Sequence, residues 1–411
     1  MSDAVRSTTL DNGVLVLTER IPHVRSASLG VWFQQGASHE APERLGESHM
    51  LEHLVFKGTE RRTARELALS LESLGGSLDA YTTREHTAFQ ARVLDAHVGT
   101  AMEVLADLTL APLLRSEDLE LEREVVLEEI AQVEDTPDDQ VFELHGASFW
   151  SGHAYGQTIL GSKETVAGLS ATGLAELHQR RYTGRGTIVA ATGQVEHEQI
   201  LALAERHFGA CAPGEGPPSV HAPSGTRTGR ERVESDTAQI HMVSAAPTVP
   251  HSDPRRLGVI VLSQALGGGM SSRLFQRIRE ELGLAYAVFS FHSFYARAGL
   301  AGVYLATRPE SEEAALDALR AELHKLSQEG LTAEELESAR QQVRGRVLLS
   351  LESTSARLYR LVGFALHDEP HEPLERLLAR IEAVTEVDAA SAAAEAFDPE
   401  RQYLLTLGPA R

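Results

Sequence analysis

The chain is poor in the features that would mark an oxidising or lipid environment. Only one of its 411 residues, Cys211, is a cysteine. A lone thiol excludes an intrachain disulfide and a metal site built from cysteines, and it fits a reducing compartment. No apolar run approaches the roughly 20 residues that a membrane-spanning helix needs. Cations are also scarce: 38 Lys and Arg stand against 59 Asp and Glu, a net charge of -21. That deficit argues against nucleic acid and against an anionic membrane surface as partners. It serves solubility, and it would equally suit a chamber that draws in basic peptides. The stretch from Met1 to Arg6 has no basic segment followed by an apolar one, so no secretory signal is expected and the expected location is cytoplasmic.

What is present describes a globular protein. Hydrophobic residues make up 42% and charged residues 24%, enough to bury a sizeable interior. The length exceeds one ordinary core, so two or three domains are expected. The most informative stretch is Leu45 to Gly58, which contains His49, Glu52 and His53 in the order His-x-x-Glu-His. On a helix, residues four apart lie on one face, so the two imidazoles can grip one metal ion and Glu52 beside them can hold a water. This is the inverse of the commoner His-Glu-x-x-His zinc helix and mechanically equivalent to it. With 18 histidines in the chain, chance occurrence competes with that reading, and the remaining sequence has to supply what the helix lacks.

Apolar alternation around Asp11-Asn12-Gly13 predicts a hairpin over residues 8–20, and Ser26 to Gln35 reads as a second strand. Arg61 to Leu74 reads as an amphipathic helix closed by Gly75 and Gly76. Strands are expected at 78–84 and 87–94, then a helix over 96–110 stopped by Pro112. A long acidic helix is expected from Glu117 to Val133, with Leu121, Val125, Val126, Ile130 and Val133 as its buried stripe. A strand at 187–192 and a helix at 196–208 come next. Residues 211–230, rich in Pro, Gly, Ser and Thr, lack periodicity and read as a linker. A repeat spans this linker. Aligning Arg44-Leu45-Gly46 with Arg256-Leu257-Gly258 matches a strand, a helix, a glycine turn, a second helix, Leu-Gly and two strands in each half. In that register His49 falls on Val261, Glu52 on Gln264 and His53 on Ala265. The second copy keeps the architecture without the metal chemistry. The expected fold is α+β: two similar domains, each a mainly antiparallel sheet packed with helices. Their expected bounds are 1–210 for the metal-binding domain and 231–411 for the other.

A catalytic zinc ordinarily takes three protein ligands and leaves a fourth position open. On the acidic helix Glu129 shares the expected apolar stripe, with Glu122 two turns earlier on nearly the same face. A carboxylate placed there needs a partner, which either a metal ion or an arginine would supply.

His49 to His53 with the adjoining Phe56-Lys57-Gly58-Thr59, and Glu122 to Glu129 downstream, resemble the M16 (pitrilysin-like) metallopeptidases. The runs Leu74 to Thr82 and Glu134 to Asp139 look like its short two-domain branch, which includes the mitochondrial processing peptidase subunits and bacterial processing-protease homologues. The resemblance implies that His49, His53 and Glu129 ligate one Zn²⁺ per subunit, that Glu52 is the general base, and that Glu122 is a supporting carboxylate behind the site. It implies that the strand carrying Asp79, Ala80, Tyr81 and Thr82 pairs with peptide substrate; the family often has Asn where this chain has Asp79. In the second half, Gly267 to Phe275 and Arg279 to Tyr286 match its glycine-rich segment and its Arg/Tyr pair. On residue types alone, Arg279 would pair with a neighbouring glutamate and Tyr286 would fill a core; the resemblance instead implies that both reach substrate. Family members enclose substrate in a chamber of four such domains, which for this chain implies a homodimer. The expected activity is zinc-dependent endopeptidase cleavage of short or unfolded peptides. Two alternatives stand beside it: a non-catalytic peptide-binding or scaffold subunit, and the lyase chemistry of the S-ribosylhomocysteine lyases, which carry the same motif but are shorter and complete their metal site with cysteine.

Overall fold

The computed structural model describes residues 5–410, so residues 1–4 of the N-terminal stretch lie outside it. Eleven strands form two sheets among the described residues. The first contains β1 (Val5–Thr9), β2 (Leu15–Arg20), β3 (Ser26–Phe33), β4 (Ser77–Thr82), β5 (Thr87–Leu94) and β6 (Thr187–Gly193), in the order β1-β2-β6-β3-β5-β4. Only the β2–β6 pair is parallel. The second contains β7 (Gly229–Glu234), β8 (Ile240–Thr248), β9 (Ala285–Phe294), β10 (Gly299–Thr307) and β11 (Tyr403–Gly408), in the order β7-β11-β8-β10-β9. Only β7–β11 is parallel. Stripped of β1, the first sheet has the same strand order and the same single parallel pair as the second. The repeat read from the sequence is thus a repeat of topology.

Two compact units hold these sheets. One comprises Met1–Ala131, Gln157–Ser219 and Ser350–His371; the other comprises Gln132–Gly156, Val220–Leu349 and Glu372–Arg411. The contiguous halves expected from the sequence follow the repeat, whereas each compact unit also includes a helical segment from the other half. Within each unit that segment covers one face of the sheet. In the first, Leu358, Leu361 and Val362 of the Thr354–Leu366 helix pack on Trp32, Ala88 and Ile188. In the second, Val141, Phe149 and Trp150 pack on Val243, Ala245 and Leu405, the first two from the Pro137–Phe149 helix. Each sheet is buried on both faces, which is why β3, β6 and β11 read as near-continuous apolar runs. The irregular segment ends at residue 228, two residues earlier than expected, because Gly229 already pairs with Tyr403 in β7–β11. No described helix is long and apolar enough to cross a membrane.

The first α-helices of the chain are α1 (Glu47–Val55), α2 (Ala64–Glu72), α3 (Val98–Leu110) and α4 (Ser116–Glu134), the last reaching three residues beyond the first unit's boundary at Ala131. Met50, Leu51, Leu54 and Val55 of α1 are fully buried and join a core with Leu29, Val31 and Phe33 of β3. That leaves His49, Glu52 and His53 on the opposite side of the helix. The stripe of α4 is phased differently from expectation. Leu121 is 68% exposed and Val125 44%, and the buried residues are Leu119, Glu122, Val126 and Ile130. Their spacing of three, four and four is a regular helical face. It escaped an apolar search because a glutamate occupies one of its central positions.

The start of α1 is held from a distance. Its N-cap is Gly46, at φ +89°, and an added Cβ there would lie 2.5 Å from the Leu160 carbonyl oxygen. Glycine supplies no side-chain acceptor for the free N–H groups of the first turn. The carboxylate of Glu40, only 5% exposed, takes that role by accepting from the Gly46 and Ser48 amides, each at 2.7 Å. Burial raises the Glu40 pKa from 4.5 to about 7, against the pull of the Ser48 and Gly46 hydrogen bonds, with the Glu47 charge adding to the rise. Between pH 4.5 and 7 the folded chain therefore keeps a proton that the unfolded chain has released, so this group lowers stability as pH rises through that window. At about 1.4 kcal/mol per pKa unit the total is roughly 3 kcal/mol. Glu40→Gln does not titrate. Urea unfolding of the metal-free protein is expected to show the variant gaining on the parent from pH 4.5 to 7, with the difference constant outside that window. A difference independent of pH would refute the assignment.

Candidate metal centre

Helices α1 and α4 bring the ligand atoms together. Nε2 of His49 lies 3.6 Å from Oε2 of Glu129, and Nε2 of His53 lies 3.7 Å from Oε1 of the same carboxylate. The two imidazole centroids are 4.6 Å apart. Among the described residues, His49, His53 and Glu129 are the one group whose His, Cys, Asp or Glu atoms converge closely enough to hold a metal ion, all within 4.8 Å of one another. These separations are too long for hydrogen bonds. They approach the spacing of about 3.3 Å expected of tetrahedral ligands held roughly 2.0–2.1 Å from zinc.

An unmet polar atom points the same way. Glu129 Oε2 is buried without a hydrogen-bond partner, a costly state unless something else satisfies it. The His49 side chain retains 12% of its surface, and its pKa is lowered to about 3, first by burial and then by the neighbouring His53. It therefore stays neutral through the physiological range and offers its ring lone pair without first losing a proton. A His/His/Glu set of this kind accommodates Zn²⁺ well. One carboxylate and two imidazoles fit the ion, and the cluster can chelate a single zinc per chain.

A second layer orients these ligands. His53 Nδ1 is 2.9 Å from Oε2 of Glu122, which is itself 5% exposed. A histidine whose Nδ1–H is held by a carboxylate presents Nε2 to a metal. The other oxygen of Glu122 pairs with the Lys57 ammonium. From the sequence, Lys57 had only a place in the Phe56-to-Thr59 run, and neither it nor Glu40 had a role at the site. Lys57 carried a signal, being four residues beyond His53 at helical spacing. Glu40 carried none, because its link to α1 depends on the path of the loop between them.

Glu52 lies beside the cluster with its Oε2 accepting from the Thr82 hydroxyl at 2.6 Å. Burial pushes its pKa above the usual carboxylate range; Thr82 and His53 oppose that shift and the Glu129 charge adds to it. Strand alternation explains Thr82. Leu78 and Ala80 pack on the α1 core, and Thr82, two residues further, faces the same way. Asp79 is exposed, and the Tyr81 hydroxyl accepts from Trp32 Nε1 at 3.3 Å. Among the described residues strand β4 pairs only with β5, and no strand pairs with its other edge.

Arg279 and Tyr286 belong to the second unit, whereas the metal cluster belongs to the first. The Arg279 guanidinium lies 4.6 Å from the ring centroids of both Phe275 and Tyr286, and its Nη1 donates to the Tyr286 carbonyl at 3.1 Å. Tyr286 is 77% exposed and fills no core, while Arg279 also stands 3.6 Å from Glu280. The counterpart of α1, Arg256–Gly267, places Val261 and Gln264 in buried positions.

Comparison with known proteins agrees with this geometry. Residues 15–163 match the family model described as insulinase (peptidase family M16), and residues 168–343 match that of the peptidase M16 inactive domain. The chain is 36% identical to an uncharacterized zinc protease of Streptomyces coelicolor over 98% of its length and 90% of the relative's. It is 37% identical to one of Mycobacterium tuberculosis, covering 99% and 93%, and 35% identical to YmxG of Bacillus subtilis, covering 92% of each. In fold it is similar to a crystal structure described as a peptidase M16 inactive domain from Pseudomonas fluorescens. That match has a TM-score of 0.93 at 19% identity and covers 99% and 98% of the two chains. A protease from Helicobacter pylori matches with a TM-score of 0.91 at 20% identity, covering 98% and 99%. The chain belongs to peptidase family M16, and its His49/His53/Glu129 cluster, able to chelate one zinc ion, lies within the residues that match the insulinase model.

Proposed function

We propose that the chain is a zinc metalloendopeptidase acting on short or unfolded peptides, with Glu52 as its general base. The observation that carries this reading is a buried carboxylate, raised in pKa and held by Thr82, directly beside the His49/His53/Glu129 cluster. A bound zinc ion would bring a water's pKa toward neutrality and polarise the scissile carbonyl. Glu52 takes the proton from the attacking water and passes it to the nitrogen of the leaving amine. Glu122 keeps His53 oriented. No covalent intermediate is required, since the chain's one thiol, Cys211, lies at the start of the irregular segment.

The free edge of β4 suits a peptide adding as a further strand, where backbone pairing supplies affinity. Asp79, Ala80, Tyr81 and Thr82 would line that strand, and the exposed Asp79 would favour basic side chains. Arg279 and Tyr286, already paired with each other, would donate hydrogen bonds to the developing oxyanion. We place the chain in the short two-domain branch of the family, alongside the mitochondrial processing peptidase subunits, on the strength of its Leu74-to-Thr82 and Glu134-to-Asp139 runs. In that setting it acts in the cytoplasm as a homodimer around a closed chamber, with Arg279 and Tyr286 of one subunit serving the zinc of the other. A non-catalytic subunit would be expected to lack a ligand or the base, and this chain has all four.

Glu52→Gln is expected to retain one zinc per chain while kcat on a peptide library falls roughly a hundred- to ten-thousand-fold. Metal analysis alongside cleavage assays would measure both, and a variant cutting as fast as the parent would overturn the base assignment. Subunit sharing is tested by mixing Glu52→Gln protein with Arg279→Ala protein. Each parent should be inactive and the mixture should regain activity. A verified heterodimer without activity would rule sharing out.

A further inference from the structure

Lys57 lies just past the end of α1, eight residues from His49 and four from His53. Its backbone is fixed on both sides: its amide donates to the Leu54 carbonyl at 3.0 Å and its own carbonyl accepts from Arg115 Nη2 at 3.1 Å. From this anchored turn its ammonium reaches Oε1 of Glu122, leaving Oε2 for His53 Nδ1 at 2.9 Å. The Glu122 side chain is 6% exposed, against 35% for Lys57. A carboxylate so deeply placed keeps its charge at little cost only when a cation and hydrogen-bond donors satisfy it. Here one donor is the lysine and the other is the imidazole of a metal ligand.

We propose that Lys57 is a positioning residue of the zinc centre: by engaging Oε1 it keeps the Glu122 carboxylate turned, so that Oε2 holds the Nδ1–H of His53 and Nε2 faces Glu129. The inference rests on the zinc-site reading of His49, His53 and Glu129. Lysine suits the task because its ammonium is a point charge that takes one oxygen, whereas an arginine fork would compete for both. Without the ammonium, nothing holds Oε1 in place, Glu122 is free to leave its rotamer, and the His53 ring loses its fixed tautomer.

A double-mutant cycle tests the coupling. Zinc affinity is measured by chelator competition for the parent, Lys57→Met, Glu122→Gln and the double variant. Lys57→Met is expected to weaken zinc about 10- to 100-fold, the usual effect of losing an outer-layer partner. In the Glu122→Gln background the same substitution should change affinity less than about twofold, because the group through which it acts has gone. Imidazole ¹⁵N spectra of the metal-free proteins should show the Nδ1–H tautomer of His53 in the parent and a mixture in Lys57→Met. A purely structural role would not alter that signature while thermal unfolding stayed near the parent's. If Lys57→Met fails to fold, Lys57→Gln serves in the same cycle. Losses that multiply across the cycle, or unchanged zinc affinity in the single variant, would overturn the proposal. A parent that binds zinc but cleaves no peptide would fail the functional reading while leaving this one standing.

Discussion

The carboxylate of Glu129 facing two imidazoles is the interaction on which the first unit's chemistry depends. It joins α1, which packs its apolar side on β3, to α4, which contributes a different apolar stripe. Polar atoms placed without partners in a mostly buried site are unfavourable by themselves, and a cation converts that cost into a cross-link between two helices. The elements around it each limit one degree of freedom. Glu40 fixes the first turn of α1, Glu122 fixes the His53 ring, and Thr82 fixes the Glu52 carboxylate. Catalytic geometry demands such support, because ligands and base must keep their positions through the reaction.

The second unit shows what the same frame does without metal. Superposing the buried stripe Leu119, Glu122, Val126 and Ile130 of α4 on Leu336, Ala339, Val343 and Val347 sets Glu122 against Ala339 and Glu129 against Arg346. The supporting carboxylate has become a methyl group, and the ligand has become a cation of its own. The paired helices remain tied by hydrogen bonds: Gln264 Nε2 donates to Gln342 Oε1 at 2.6 Å, and the Arg346 guanidinium donates to the Gly268 carbonyl. Gln264 stands where Glu52 stands in the first copy. An amide there satisfies hydrogen bonds but cannot take up a proton as a carboxylate can.

Much of this was legible in the sequence, for reasons specific to each element. The His49/His53 helix could be read because a four-residue spacing is itself a statement about one face. The repeat could be read because glycine turns and apolar strands recur in register, and the two sheets indeed share one strand order. Glu129 was reachable only in part, through a stripe of which Val126 and Ile130 are buried while Leu121 and Val125 are exposed. Glu40 and the exchange of the helices Pro137–Phe149 and Thr354–Leu366 between units were not legible. Both depend on where loops lead the chain, and a single sequence carries no periodic signal for that. Tyr286 could not be placed by residue type either: aromatic residues favour interiors, yet its ring lies in the open against Arg279.

Thr82 shows how the fold couples recognition to chemistry. It is the last residue of β4, an edge strand. Alternation along the strand points its side chain inward to Glu52, while the strand's backbone on the unpaired side remains available. A peptide that adds to this edge therefore engages the same residue that orients the base, through a different chemical group. Shifting β4 by one residue against β5 would turn Thr82 outward and bring Tyr81 or Thr83 to the base, losing its hydrogen bond. The Thr82↔Thr87 register of β4 on β5, together with the close core packing of Leu78 and Ala80, prevents that slip. The position of the Glu52 carboxylate is in this sense set by strand pairing as much as by the helix that carries it.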